Sequence, residues 1–268
     1  MIKILCPTDF SQAADNAIAY AAALSKRIGA DLTLFNVQSI MALPVIEMFE
    51  DRVVALQPIM EKLKAQCDQV MDVFNITCLA EVQPESRLLV DIISKRSNGF
   101  DLLIMGTNGS DDYSDFFFGS HSYQVAIQAL VPVLLIPSAC RYKEVKTMVY
   151  AYDYEQVLPL VQLSKWTELL AATITVLKVK DHYSRAAEVT SREVAEGIVH
   201  SNNLPDVKFD TVYEEDTFGG VHHYFVKNEY DALALCSVQH RFITNIFHKS
   251  LIKELSAGVN YPLFIFHK

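Results

Sequence analysis

Short apolar runs in the first half of the chain are closed by polar or glycine-containing segments and separated by stretches with helical spacing. Ile2 to Cys6 is such a run, ended by Pro7-Thr8-Asp9, and predicts a buried parallel strand that opens into a loop. Behind Ser11 as N-cap, Ala14, Ile18, Ala21, Ala22 and Leu24 form a helical stripe that stops at Gly29. Asp31 to Val37 alternates and reads as a second strand, and Val45 to Phe74 reads as a long helical region disturbed at Pro58. A third strand is expected over Ile76 to Val82. Pro84 then suits the first turn of a helix that passes through Leu88, Leu89, Ile92 and Ile93 and ends at Asn98-Gly99. Asp101 to Met105 reads as strand, Ser120 to Leu130 as helix and Val131 to Ile136 as strand. Strands alternating with helices give a parallel sheet covered on both faces.

After Pro137 the same order restarts. Met148-Val149-Tyr150-Ala151-Tyr152-Asp153 repeats Ile4-Leu5-Cys6-Pro7-Thr8-Asp9, and Ala172 to Val179 repeats Ala30 to Val37. Asp231 to Leu235 repeats Asp101 to Met105, and Tyr261 to Phe266 repeats Val131 to Ile136. Four matched strands in one order predict a duplication. The expected fold is α/β, two tandem doubly wound parallel five-stranded sheets, with domains at 1–140 and 146–268 and a seam in the polar segment Ser138 to Lys146. Val131 to Ile136 and Tyr261 to Phe266 are candidate edge strands with exposed pairing potential. The two halves are therefore expected to associate as an internal pseudo-dimer, with a homodimer of the whole chain a further expectation.

Composition narrows the class of partner. Of 268 residues 51% are hydrophobic and 21% charged, with only 9 Gly and 9 Pro, which excludes a disordered or low-complexity chain. Twenty-three basic against 32 acidic side chains leave a net charge of −9, which argues against nucleic acid or an anionic membrane surface as partner. A small phosphorylated ligand held by backbone amides stays allowed. The longest apolar runs, such as Leu130 to Ile136, fall far short of the roughly 20 residues of a membrane helix. Asp9 interrupts Ile4-Leu5-Cys6 before a signal-peptide core forms, so a cytoplasmic location is expected. Five cysteines without a CxxC spacing are read as reduced, buried thiols.

The most informative segment is Gly106-Thr107-Asn108-Gly109, then nine residues, then Gly119-Ser120. It joins a predicted strand to a predicted helix, at the strand end where open α/β sheets bind ligands. Glycines there let backbone amides approach phosphate oxygens, and the amide and hydroxyl of Ser120 stand at the positive end of the helix dipole. With the preceding Asp101-Leu-Leu-Ile-Met105, the following Val131-Pro-Val-Leu-Leu-Ile-Pro137 and the N-terminal Pro7-Thr8-Asp9-Phe10-Ser11, this spacing resembles the universal stress protein family. The resemblance spans essentially all of residues 1 to 138, and the tandem layout is similar to two-domain members with a Rossmann-like, adenine nucleotide alpha hydrolase-like fold. It implies ATP or another adenine nucleotide as ligand, with or without Mg²⁺, and a role in stress response or signalling through nucleotide-dependent conformation and an unidentified protein partner. It also implies site residues. Asp9, in Pro7-Thr8-Asp9, would contact the adenosine moiety and Val37 the adenine through its backbone, while Gly106, Gly109, Gly119 and Ser120 would hold ribose and phosphates, with Met105 and His121 beside them. The residues themselves also allow Asp9 to be a helix cap.

Three features depart from the family pattern. The nine-residue insert carries Asp111, Asp112 and Asp115 and no Lys or Arg, and carboxylates near a triphosphate are unfavourable unless they face solvent or meet Mg²⁺. Phe116-Phe117-Phe118 is bulkier than an aliphatic run and reads as packing. His121 stands where a small or β-branched residue is usual; it reads as a phosphate contact or as an exposed first-turn residue. In the second half the matching segment is Cys236-Ser237-Val238-Gln239, nine residues, then Lys249-Ser250, without any of the three glycines. That half is expected to keep the fold and lack nucleotide binding.

No metal site and no catalytic residue is predicted. His222-His223, Cys236, His240 and His248 have no recognised zinc spacing, and no G-x-S-x-G elbow or Walker A loop occurs. Glu47, Glu81 and Glu85 are read as helix or loop carboxylates without a partner. Two alternatives stay open: a nucleotide-independent interaction protein with relic sites, and a slow Mg-dependent ATP hydrolase.

Overall fold

All the assigned strand pairings within each half are parallel, as apolar runs buried on both faces require. The computed structural model describes residues 1–39, 49–85, 88–107, 120–151, 159–180, 207–237 and 261–267. These residues fall into two compact units that part between Tyr142 and Lys143, the later strand from Leu263 belonging to the second.

In the first unit the order along the chain is β1 (Lys3–Pro7), α1 (Gln12–Ile28), β2 (Asp31–Ser39), α2 (Phe49–Phe74), β3 (Cys78–Glu85), α3 (Leu89–Ser97), β4 (Leu102–Thr107), α4 (Ser120–Gln128) and β5 (Val133–Pro137). The strands lie side by side as β3-β2-β1-β4-β5. Right-handed crossovers then place α1 and α2 on one face of the sheet and α3 and α4 on the other, and each pair packs together. Ser11 caps α1, its Oγ accepting from the Ala14 amide at 3.2 Å, and Gly29 ends it in the left-handed region at φ 67°. Ile4, Leu5, Leu32, Leu34, Leu102 and Leu103 are fully buried between the helical layers, with Leu63 of α2 closing over them.

The second unit contains β6 (Thr147–Ala151), α5 (Leu160–Leu170), β7 (Thr173–Lys180), β8 (Val207–Tyr213), α6 (Thr217–Lys227), β9 (Ala232–Ser237) and β10 (Leu263–His267). Its strands run β8-β7-β6-β9-β10, the order of the first unit repeated. The repeat extends to single bonds. The Leu103 amide donates to Pro132 O at 3.0 Å and the Leu233 amide to Pro262 O at 3.1 Å, while Asp31 N to Ile2 O and Thr173 N to Lys146 O both measure 2.9 Å. Trp166 of α5 is buried against Phe264 of β10, with ring centroids 6.1 Å apart.

Four local expectations are corrected or made more specific. Pro84 does not open a helix; it lies in β3, opposite Gln38, and α3 starts at Leu89. The reason is its place in the ladder. Thr77 O accepts from the Leu32 amide, so alternation points odd-numbered residues of β3 at β2 and even-numbered ones outward, and an outward proline forfeits no sheet bond. The helix α2 passes through Pro58 without ending. Gly106 and Thr107 belong to β4 and not to the loop after it. Glu81 is a strand residue with a partner, since Arg96 donates to it twice, at 2.6 and 2.7 Å, while its guanidinium lies 4.6 Å above the Phe100 ring. All five cysteines are free and buried.

Candidate functional site

The chain leaves β1 for β2 on one side and reaches β4 on the other, so the carboxyl ends of β1 and β4 border the point where the crossovers diverge. Such switch points leave a crevice that neither connection covers. The site is built from what these strand ends carry.

Beyond Pro7 the β1 ladder makes one last bond, Thr8 N to Phe35 O at 2.9 Å, and the chain turns. Thr8 is buried and its Oγ1 accepts from the Phe10 amide at 3.0 Å. Phe10 takes φ 64°, a left-handed conformation that an aromatic residue adopts only when its surroundings hold it there. Lys62 of α2 lies against this residue, its Nζ 4.1 Å above the Phe10 ring. Asp9, between these two, is exposed, and its Oδ1 accepts from the Ser11 amide at 2.9 Å. Ser11 is therefore the cap of α1, and Asp9 braces the turn in front of it. Asn36 of β2 donates its Nδ2 to Thr8 O at 2.8 Å, which ties the turn to the neighbouring strand. Val37 follows, half-buried at the rim.

On the other side of the crevice, Met105 is buried and Gly106 reaches the rim. A Cβ on Gly106 would stand 2.5 Å from Ala13 O and 2.8 Å from Ala13 C, so the glycine lets the first turn of α1 rest on the end of β4. Helix packing by itself already requires the missing side chain there. Ser122 of α4 donates its Oγ to Gly106 O at 3.0 Å, which draws the opening turn of α4 to the same strand end. His121 is exposed in that turn, and Ser120 is its first residue.

The structure thus brings together Pro7, Thr8, Asp9, Val37, Met105, Gly106 and the start of α4 at Ser120 and His121. Gly109, Gly119, the three aspartates of the insert and the phenylalanine run lie outside the described residues, as do Asp153, Gln239, Lys249 and Ser250 of the second half. The first-unit part of this set is an exposed carboxylate on a braced turn beside the end of β2. Three contributors escaped sequence reasoning, namely Asn36, Phe10 and Lys62. The signal for Asn36 is an amide set between apolar neighbours in Leu34-Phe35-Asn36-Val37.

In the second unit, Gly220 carries α6 onto β7: a Cβ there would lie 2.7 Å from Val179 Cγ1. Val179 is the counterpart of Val37. Among the described residues no group of three or more His, Cys, Asp or Glu could hold a metal ion, and no helix is long and apolar enough to cross a membrane. His222 Nδ1 and Tyr261 Oη share a hydrogen bond of 2.9 Å.

Residues 1–137 match the sequence model of the Universal stress protein family. Among curated proteins none matches the chain. Among solved structures, the chain is similar to a universal stress protein from Archaeoglobus fulgidus, with 14% identity and a TM-score of 0.76 over 99% of this chain and 98% of that one. It is also similar to a functionally unknown protein from Pseudomonas aeruginosa, with 12% identity and a TM-score of 0.56 over 99% and 92% of the two chains. At these identities the likeness is one of fold, and it extends over both halves.

Proposed function

Because the chain belongs to the universal stress protein family, we propose that its first unit binds ATP or a related adenine nucleotide, with or without Mg²⁺, at the crevice between β1 and β4. The bound nucleotide sets a conformation that a partner protein reads in stress response or signalling, in the cytoplasm. The observation that carries this reading is the convergence of the Asp9 turn, the Gly106 end of β4 and the opening turn of α4 at one switch point. In this reading Asp9 takes the adenosine moiety and the Val37 backbone the adenine. The amides around Ser120, with Gly109 and Gly119 before them, take ribose and phosphates, and the dipole of α4 favours the negative charge. The second unit keeps the fold without this site. In its favour stand the missing glycines at Cys236, Gln239 and Lys249, and the seating of α6 against Val179.

The test is to purify the full chain, extract small molecules for mass spectrometry, and titrate the stripped protein with ATP in the presence and absence of Mg²⁺. One adenine nucleotide per chain is expected, with weaker binding for Asp9→Ala. No extracted nucleotide and no response to ATP with Mg²⁺ would favour the nucleotide-independent interaction protein instead. Steady turnover that disappears in Asp9→Ala would favour a hydrolase, and two nucleotides per chain would restore a site to the second unit.

A further inference from the structure

Asn36 is 4% exposed, its Nδ2 donates to Thr8 O, and its Oδ1 is buried with no hydrogen-bond partner. The amide cannot simply be turned over, because Oδ1 would then face the Thr8 carbonyl oxygen. A buried acceptor left unmatched is unfavourable, and an apolar side chain of similar volume would avoid that cost, so stability alone does not account for an amide here. What the amide does achieve is local. Thr8 is held to β2 through both of its backbone groups, its N–H on Phe35 O and its C=O on Asn36 Nδ2. From Thr8 the bracing runs outward: its Oγ1 fixes the Phe10 amide, and Asp9 is clasped to the Ser11 amide. The plane of the Thr8 carbonyl sets where Asp9 begins, and Asn36 sets that plane.

We propose that Asn36 is a positioning residue for ligand recognition by Asp9, holding through Thr8 the turn that presents this carboxylate to the adenosine part of a nucleotide. The inference rests on the nucleotide reading above. It is tested with the full chain as wild type, Asn36→Leu, Asp9→Ala and the double variant, titrated with ATP and separately with adenosine, alongside thermal unfolding of each. Asn36→Leu is expected to keep the unfolding midpoint within a few degrees and to weaken ATP and adenosine by the same factor, roughly tenfold, the size of one hydrogen bond to a charged group. In the Asp9→Ala background the same substitution should change affinity by less than about twofold, because the group it positions is gone. Losses that multiply in the double variant, or unchanged affinity in Asn36→Leu, overturn the inference and leave nucleotide binding standing. Asn36→Ser, which keeps a donor near Thr8 O with less bulk, serves as a second variant and should recover part of the lost affinity if the bond to Thr8 is what matters. A wild-type chain that binds neither ATP nor adenosine overturns the parent reading and this one together.

Discussion

Asp231 Oδ2 accepts from the amide of Thr147 at 3.0 Å, and Asp101 Oδ2 accepts from the amide of Lys3 at 2.9 Å. Lys3 and Thr147 are the first residues of β1 and β6, and the two aspartates immediately precede β4 and β9. Each carboxylate therefore clamps the start of the neighbouring strand, and each half makes the same bond with its own residues. The amides of Asp101 and Asp231 return bonds to Lys3 O and Thr147 O. The two halves share this detail, and strand register depends on it in each.

The clamp at Asp231 has a pH dependence. Burial alone raises its carboxyl, but the Lys143 ammonium at 2.7 Å, the amides of Lys146 and Thr147 and the Thr147 hydroxyl outweigh burial and hold it below the usual carboxylate range. A depressed native pKa stabilises the fold above the unfolded value of about 3.9, and that contribution is lost as pH falls through the native value. Asp231→Ala should lower stability by about 2 kcal/mol at pH 7, from the loss of charge-assisted bonds to the strand start. Urea unfolding of both proteins between pH 2 and pH 7 checks this: the difference should shrink in acid.

Gly29 and Ala171 end α1 and α5 at matching positions, with φ 67° and φ 51°. The second carries a Cβ in a conformation that favours glycine. Ala171→Gly should therefore stabilise the second unit by about 1 kcal/mol, and Gly29→Ala should destabilise the first by about as much. Equilibrium denaturation of the two variants reads both signs.

Gly106→Ala places a methyl group 2.5 Å from Ala13 O, a backbone atom that cannot rotate away. The end of β4 or the first turn of α1 must shift. A loss of about 1–3 kcal/mol is expected. Because α1 begins directly after the Asp9 turn, ATP affinity should fall with it, and isothermal titration beside thermal unfolding measures both effects.

The five thiols should resist alkylation in the folded protein. Burial pushes Cys6 far up and Cys140 up to about 11; Cys78 is raised foremost by its hydrogen bond with Cys67 and then by burial, and that same bond lowers Cys67. All five are buried, which keeps reagent from them in the native fold. Ellman titration at pH 8 should show little reaction until denaturant is added and then release five equivalents. Prompt reaction of any thiol in native buffer would contradict the burial described.

Caps and strands were readable because they depend on local chemistry. Ser11 and Gly29 bracket α1 as their residue types require, and the repeat of apolar runs predicts β6, β7, β9 and β10 in the second unit, while β8 goes unread. Pro84 was misplaced because proline suits a helix start and an outward position on an edge strand equally well, and only the register with β2 decides. Gly106 has a second requirement that its own segment does not reveal: Ala13 O, the atom that needs the room, lies 93 positions earlier in the chain. The role of Asn36 is not legible in sequence for a related reason: it acts on a carbonyl 28 residues away.

Pro84 stands on the outermost strand of the first unit, and its nitrogen faces away from β2. An intruding β-segment that tries to extend the sheet there finds no N–H at that rung and meets a ring instead. One imino acid thus removes a pairing rung from the edge strand of this unit, and edge strands are where sheets otherwise recruit one another.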